Sequence, residues 1–334
     1  MKKTGYAVLT ALILILACSC GTAEASRDFF AMDTIVSVKA YGSHSEEAVN
    51  AAANRINELE HLFSVTDSSS DIALLNSSGS AKVSDDTAKV ISAALELCSK
   101  TDGALDITIY PVLREWGFTT AENHVPSDAE LAAALAKTGY ERVTLSENTV
   151  TLPEGYMLDL GSCAKGYAGS EMIAGISEFG ITSALVNLGG NVQALGAKPD
   201  GSDWTVGIAD PFAPENLLGT IGVRDKAVIT SGGYQRYFTD DSGNVYIHIL
   251  DPKSGRPADS GLASVTVIGD DGLMCDALST ALFVMGKERA VGYWHENGGF
   301  DMILVTNDRR IFITEGISEK YADRSGLPAE IIYE

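Results

Sequence analysis

Two polar pairs in this sequence sit where folding alone does not ask for them. In LDLGSCAKGYAGSEMI, residues 158–173, Asp159 and Lys165 flank a bend that Gly161 suffices to make. The free N–H groups of a helix starting here would attract an anion, and a lysine beside them would strengthen the hold. The same stretch also reads as a plain connection whose charges face water. In CDALSTAL, residues 275–282, Asp276 and Thr280 are four positions apart and share one helical face. A carboxylate and a hydroxyl are hard oxygen donors. Mg2+ takes few such protein ligands and completes its shell with phosphate and water. The other reading is local: an Asp that suits a helix N-terminus, and a Thr bonded back to a carbonyl.

Two further stretches are rich in polar residues and glycine. In NVYIHILDPKSGRP, His248 and Asp251 lie on a strand that runs into a Pro-Gly turn. Loops at strand ends are where catalytic groups tend to sit, although a lone His is as readily a structural hydrogen-bonder. In NLGGNVQALG, Gly189-Gly190 between two strand-like runs permits a bulge or the close approach of a ligand.

Elements must hold these residues in place. Residues 34–42, TIVSVKAYG, alternate as a half-buried strand. Ser45 opens a helix over 45–63, and further helices are expected over 85–103, closed by Gly103, and over 127–139, stopped by Gly139. Residues 142–161 read as strand, turn and strand, followed by a helix to about Phe179. A long β-rich run comes next, then CDALSTALFVMG and KERAVGYWHENGG as two helices, then a closing hairpin through Asn307-Asp308. Helices and mostly antiparallel strands interleave without a regular strand–helix–strand beat, so the expected fold class is α+β.

The 334 residues are 45% hydrophobic and 21% charged, a globular composition able to bury a sizeable core. The formal charge of -21 repels nucleic acid and anionic lipid, so neither is an expected partner. A phosphate-bearing ligand would need cations supplied inside its own site. Cys98, Cys163 and Cys275 are too scattered for a disulfide framework or a zinc site.

Lys2 and Lys3 precede an apolar run over residues 6–17, a targeting segment too short for a comfortable membrane span. Cys18 and Cys20 follow it directly, in ILACSCG. This arrangement resembles a bacterial lipoprotein signal, in which such a Cys is lipidated and starts the mature chain; the alternative is a secreted protein with incidental cysteines. The expected organisation is a signal over 1–20, a flexible tether over 21–27 and one domain over 28–334. The expected location is exported, lipid-anchored to a bacterial cell membrane on its periplasmic or outer face.

Eight stretches in order resemble the ApbE family of flavin transferases, enzymes that move FMN from FAD onto a protein. They are AMDT (31–34), HLFSVTDSSSDIALLN (61–76), GALDITIYPVLREWGF (103–118), DLGSCAKGYA, LVNLGGNVQALG, TSGGYQRYF, HILDPKSGRP and SVTVIGDDGLMCDALSTAL. The resemblance implies a T-fold-like α+β domain with the flavin in a deep cleft. By the same resemblance, Met32, Thr66, Ala104, Leu105, Asp106, Asp159, Lys165 and Leu250 match FAD-contacting positions. Ser162, through its carbonyl, and Asp276, Ser279 and Thr280 match the metal positions. His248 is then the candidate base or acid, with Asp251 beside it, and FAD and Mg2+ are the implied substrate and cofactor. The implied acceptors are proteins of membrane electron-transfer complexes.

The sequence departs from the family pattern twice: Asp33 stands where Gly is usual, and Thr66 where the transferases tend to carry an aromatic. A lost ring weakens flavin stacking by about 1 kcal/mol, unless an aromatic elsewhere, such as Tyr234 or Trp116, covers the flavin. Three functions follow from one site: an FMN transferase, a pyrophosphatase that gives FMN and AMP, or a flavin-binding lipoprotein without turnover.

Overall fold

The computed structural model describes residues 23–120 and 122–334; Cys18, Cys20 and the signal reading built on them lie outside the described residues. The chain opens with β1 (Glu24–Ala31) and β2 (Thr34–Tyr41), an antiparallel hairpin. This corrects the expected tether, because Glu24 to Arg27 pair with Tyr41 to Val38. The strand escapes a reading of periodicity because most of its residues are exposed, leaving no apolar alternation.

Helix α1 (Ser45–Phe63) buries Ala48, Val49, Ala52, Ile56, Leu59 and Phe63, one stripe at helical spacing. Then come α2 (Asp71–Ser78), capped by the Ser70 hydroxyl, β3 (Ser80–Lys82), α3 (Asp85–Lys100) and α4 (Tyr110–Glu115). A capping box between Ser127 and Glu130 starts α5 (Asp128–Leu135). Strands β4 (Thr144–Ser146) and β5 (Thr149–Thr151) follow as the expected strand, turn and strand, but the second strand stops at Thr151 instead of running to 161. Residues 152–161 form no ladder: the Leu152 and Asp159 N–H groups donate to the Gly79 and Ile107 carbonyls, and a side chain holds Leu158. Asn76 Nδ2 donates to the Leu158 carbonyl at 2.8 Å, and Asn76 Oδ1 accepts the Leu158 N–H at 2.7 Å.

After α6 (Ala164–Glu178) come β6 (Ser183–Leu188), β7 (Asn191–Leu195), β8 (Trp204–Asp210), β9 (Ala213–Val223) and β10 (Ala227–Gly232). A small hairpin, β11 (Tyr237–Thr239) with β12 (Val245–Ile247), leads to β13 (Leu262–Gly269) and α7 (Gly272–Asn297). Gly286 interrupts α7 at φ 76°, ψ 170°, where two separate helices were expected. The hairpin of β14 (Asp301–Thr306) and β15 (Ile311–Thr314) does not close the chain. It is followed by α8 (Glu315–Ser318), β16 (Tyr321–Asp323) and β17 (Ala329–Ile332), the last lying parallel to β15.

Nine strands form the main sheet in the order β1-β2-β6-β7-β10-β13-β14-β15-β17, and every pairing except β15–β17 is antiparallel. The fold is α+β. One face of the sheet packs on α1, α6 and α7, and α3 packs behind them on α7 and α1. The other buries Val192, Val228 and Ile303 against Val206, Ile208 and Ile221 of the three-stranded sheet β16-β9-β8. A separate small cluster joins Trp116, Phe118, Leu131 and Leu250. Cys98, Cys163 and Cys275 are free and buried, so core burial, at about 1.5–3 kcal/mol for each large aliphatic side chain, does the stabilising.

Candidate active site

Two tight turns meet at one end of the main sheet. Met32 and Asp33 turn β1 into β2 at φ 49° and 58°, and Gly189-Gly190 turn β6 into β7 at φ 62° and 99°. Gly189 donates to the Ile35 carbonyl at 3.2 Å, and a Cβ there would lie 2.1 Å from Thr34 Oγ1. That close approach, together with the turn, is what the glycine pair serves. Asp33 stands at a left-handed position where Gly is easiest and Asp is tolerated, so the turn explains this departure. Met32 has no such tolerance and is held by its N–H donating to Glu60 Oε1 at 2.9 Å. Strain of this kind clusters at functional sites.

The start of α6 is capped from another helix. Asp276 Oδ2 accepts the Gly166 N–H at 2.7 Å, whereas Cys163, at the cap position, makes no side-chain cap bond. Asp271, not Asp276, caps α7 itself. The helices touch closely: a Cβ on Gly166 would lie 2.1 Å from the Gly272 carbonyl oxygen. Gln193 locks the crossing, donating to the Gly166 carbonyl at 2.8 Å and accepting from Ser170 Oγ at 3.0 Å. Burial pushes the Asp276 carboxyl up to about 6, against the pull of the Lys165 ammonium and the Gly166 N–H.

Beside Asp276 stand three hydroxyls. Ser231 Oγ is 2.8 Å from Ser279 Oγ and 3.2 Å from Thr280 Oγ1, and Ser279 donates to the Asp276 carbonyl at 2.7 Å. The back-bonding considered for Thr280 therefore belongs to Ser279. Among the described residues no three His, Cys, Asp or Glu side chains form a metal-holding group. A cation here would rest on one carboxylate with hydroxyl and carbonyl oxygens, a donor set that suits Mg2+.

His248 Nδ1 lies 3.0 Å from the Arg236 carbonyl, which only accepts, so Nδ1 carries the proton and Nε2 is left as an acceptor. Burial lowers the imidazole to about 4; the Arg236 carbonyl opposes this, while the Arg236 and Lys165 charges reinforce it. His248 is thus neutral at neutral pH. Asp159 accepts the Gly161 N–H at 2.8 Å, and burial raises its carboxyl against that bond and the Arg236 charge. Arg236 itself, which donates to the Phe118 carbonyl, was not singled out from sequence. Its only signal was its place in TSGGYQRYF.

Residues 32–304 match the ApbE family model. The chain belongs to the ApbE family. The FAD:protein FMN transferase of Klebsiella pneumoniae is 34% identical over 290 residues, covering 85% of this chain and 89% of that protein. The Treponema pallidum protein of the same name is 32% identical over 330 residues, covering 90% and 91%. The crystal structure of the ApbE protein of Thermotoga maritima superposes with a TM-score of 0.83 at 34% identity, covering 88% of this chain and 98% of that one. The apo flavinyl transferase ApbE of Pseudomonas stutzeri gives 0.79 at 29% identity, covering 90% and 98%.

Within this ApbE fold, several expected site residues turn out to serve the scaffold. Asp251 Oδ1 accepts the Lys253 N–H at 2.9 Å, so one oxygen of its carboxylate builds the turn beyond His248. The Leu250 side chain is buried in the Trp116 cluster, and those of Ala104 and Leu105 in the large core, leaving only main chain for a ligand. Asp106 accepts from the Thr108 N–H and hydroxyl at 2.8 and 2.6 Å and from the Tyr140 N–H at 3.3 Å. Its carboxylate therefore staples the loop. Ser279 is fully buried with its hydroxyl engaged by Ser231 and the Asp276 carbonyl, which makes it a link and not an open ligand. Trp116 is fully buried, donating to the Gly255 carbonyl at 2.7 Å, and cannot cover a flavin. Thr66 is exposed on the loop after α1, with its hydroxyl 3.2 Å from Ser64 Oγ. Ser162 lies in the turn directly before α6.

Proposed function

We propose that this chain transfers FMN from FAD to a Thr or Ser hydroxyl of an acceptor protein, releasing AMP. The observation that carries the reading is the start of α6, where Lys165 stands next to Gly166, whose N–H donates to the buried Asp276 carboxylate at 2.7 Å, and the Lys165 charge also acts on the neutral His248. A base, a cation and an acidic oxygen cluster thus share one place, as attack on a diphosphate requires.

The acceptor hydroxyl oxygen bonds to the phosphorus on the FMN side, and the bond from that phosphorus to the bridging oxygen breaks. AMP departs with the bridging oxygen. The acceptor's proton passes to His248 Nε2. Lys165 and the N–H groups at the start of α6 hold non-bridging oxygens, and Arg236 adds positive charge beside Asp159 and His248. Asp276, Thr280 and the Ser162 carbonyl would hold Mg2+, which when bound neutralises charge on the diphosphate and the leaving phosphate.

One observation favours hydrolysis as a second reading: Thr66 is exposed and offers no ring where the transferases tend to have one. Water would then replace the acceptor hydroxyl and yield free FMN. Incubation with FAD, Mg2+ and a candidate acceptor separates the readings. Fluorescence on the acceptor in a denaturing gel marks transfer, free FMN marks hydrolysis, and intact FAD marks a binding protein. Export and lipidation at Cys18 or Cys20 belong to the same proposal, with an acceptor at the membrane surface as the partner.

A further inference from the structure

The hydroxyls of Ser231, Ser279 and Thr280 form a chain whose proton order follows from counting donors. Ser279 Oγ donates to the Asp276 carbonyl oxygen at 2.7 Å, an acceptor with no hydrogen to offer. Each hydroxyl owns one proton. The 2.8 Å contact between Ser231 and Ser279 must therefore take its proton from Ser231. With that proton committed, the 3.2 Å contact between Thr280 and Ser231 takes its proton from Thr280. The order runs from Thr280 to Ser231, to Ser279, to the carbonyl of Asp276.

The consequence falls on Thr280. Its proton is directed at Ser231, so the lone pairs of Oγ1 are left for other partners. Asp276 stands one helical turn away on the same face of α7. Its Oδ2 is bonded to Gly166, and its Oδ1 has no protein hydrogen-bond partner among the described residues. A cation bound between the two meets acceptor atoms only, whereas a freely rotating hydroxyl would at times present its hydrogen.

Ser231 is well placed to enforce this. It is only 8% exposed and stands on β10, paired with Val265 of β13. The recorded pairs between β10 and β7 end at Val228, so Ser231 lies where the sheet opens on its other side. We infer that Ser231 is a positioning residue for the divalent-cation site, fixing the hydroxyl of Thr280 as an acceptor toward the ion. The inference rests on the reading of Asp276 and Thr280 as cation ligands.

The test is Mn2+ binding to the full chain, followed by the electron paramagnetic resonance of the free ion, with no FAD present. Ser231→Ala should weaken binding about five- to tenfold, the scale of one hydrogen bond between neutral groups. Ser231→Thr, which keeps the hydroxyl, should recover most of the loss. In a Thr280→Val background, removing Ser231 should change nothing further, because the group it orients is gone. A purely structural Ser231 would give the same loss in both backgrounds, and that result overturns the inference. Unchanged Mn2+ binding by Ser231→Ala also overturns it, while leaving the cation site intact. A wild-type protein that takes up no Mn2+ overturns the cation site as well. Ser231→Cys, nearly isosteric with a weaker donor, serves the same comparison if the alanine variant is unfolded at the assay temperature.

Discussion

Asp276 Oδ2 lies 2.7 Å from the Gly166 nitrogen, so one carboxylate is at once the cap of α6 and the buried anion of α7. The bond aligns the candidate cation site with the N–H groups at the start of α6. Both ends of the proposed diphosphate site are therefore tied together by a single contact between helices.

That double use separates two substitutions. Asp276→Asn keeps a carbonyl for the Gly166 N–H but removes the charge, so it should fold normally and lose Mg2+-dependent turnover. Asp276→Ala should lose turnover and also about 1–2 kcal/mol of stability, the worth of a cap. Thermal unfolding without metal and turnover with Mg2+ measure the two effects. A fully active Asp276→Ala protein would remove Asp276 from the chemistry.

His248 should set an unusually acidic limb in the pH profile. Its conjugate acid titrates near pH 4, so the base is neutral and competent at all higher pH. With Mg2+ saturating, kcat/KM should hold level from neutral pH to about 5 and fall as pH drops through about 4, whereas an unperturbed His would lose activity near 6.5. The stability sign agrees: the folded pKa is lowered, so the unfolded chain takes up a proton first. His248 thus destabilises the fold as pH falls from 6.5 towards 4. An acid limb near 6.5 with Mg2+ saturating would show that burial does not lower His248, and an acid limb left unchanged by His248→Gln would show that His248 is not the base.

If Thr66 lines the proposed flavin site, replacing it should shift the division between transfer and hydrolysis. Thr66→Tyr should tighten FAD binding about five- to tenfold through stacking worth about 1 kcal/mol. It should also shift product from free FMN to protein-bound FMN. Titration with FAD, followed by chromatography of AMP, FMN and labelled acceptor, provides both readouts. Unchanged affinity and product ratio would place Thr66 outside the flavin pocket.

The cysteines behind the N-terminal apolar run should anchor the protein. The full-length chain should partition with membranes in a bacterial host, and replacing both Cys18 and Cys20 by Ser should release it. Persistent lipid modification of the double variant, read by mass spectrometry, would refute the lipoprotein signal.

Much of this molecule is legible in its sequence because the forces involved are local. The i, i+4 spacing of Asp276 and Thr280 puts them on one helical face wherever that helix packs. Ser127 and Glu130 build a capping box from neighbouring residues, and the stripe of α1 is a matter of period. Gly189-Gly190 and Gly286 mark their breaks because few other residues reach positive φ without strain.

What the tertiary structure decided is which polar groups are free. Asp106 has the composition of a site carboxylate, yet nearby N–H groups occupy both its oxygens, and one oxygen of Asp251 is taken by the Lys253 N–H. Residues 152–161 look like a strand, but Leu158 is held at both its N–H and its carbonyl by the side chain of Asn76, some eighty residues away. Gly166 and Asp276 meet across 110 positions, and Ser231 reaches Ser279 across 48. Periodicity and propensity report only what a residue does to its own backbone and near neighbours. Pairing between distant side chains depends on how the helices and the sheet stack, and burial then sets the charge each group keeps. The residues able to do chemistry were therefore named by the sequence, and packing chose among them.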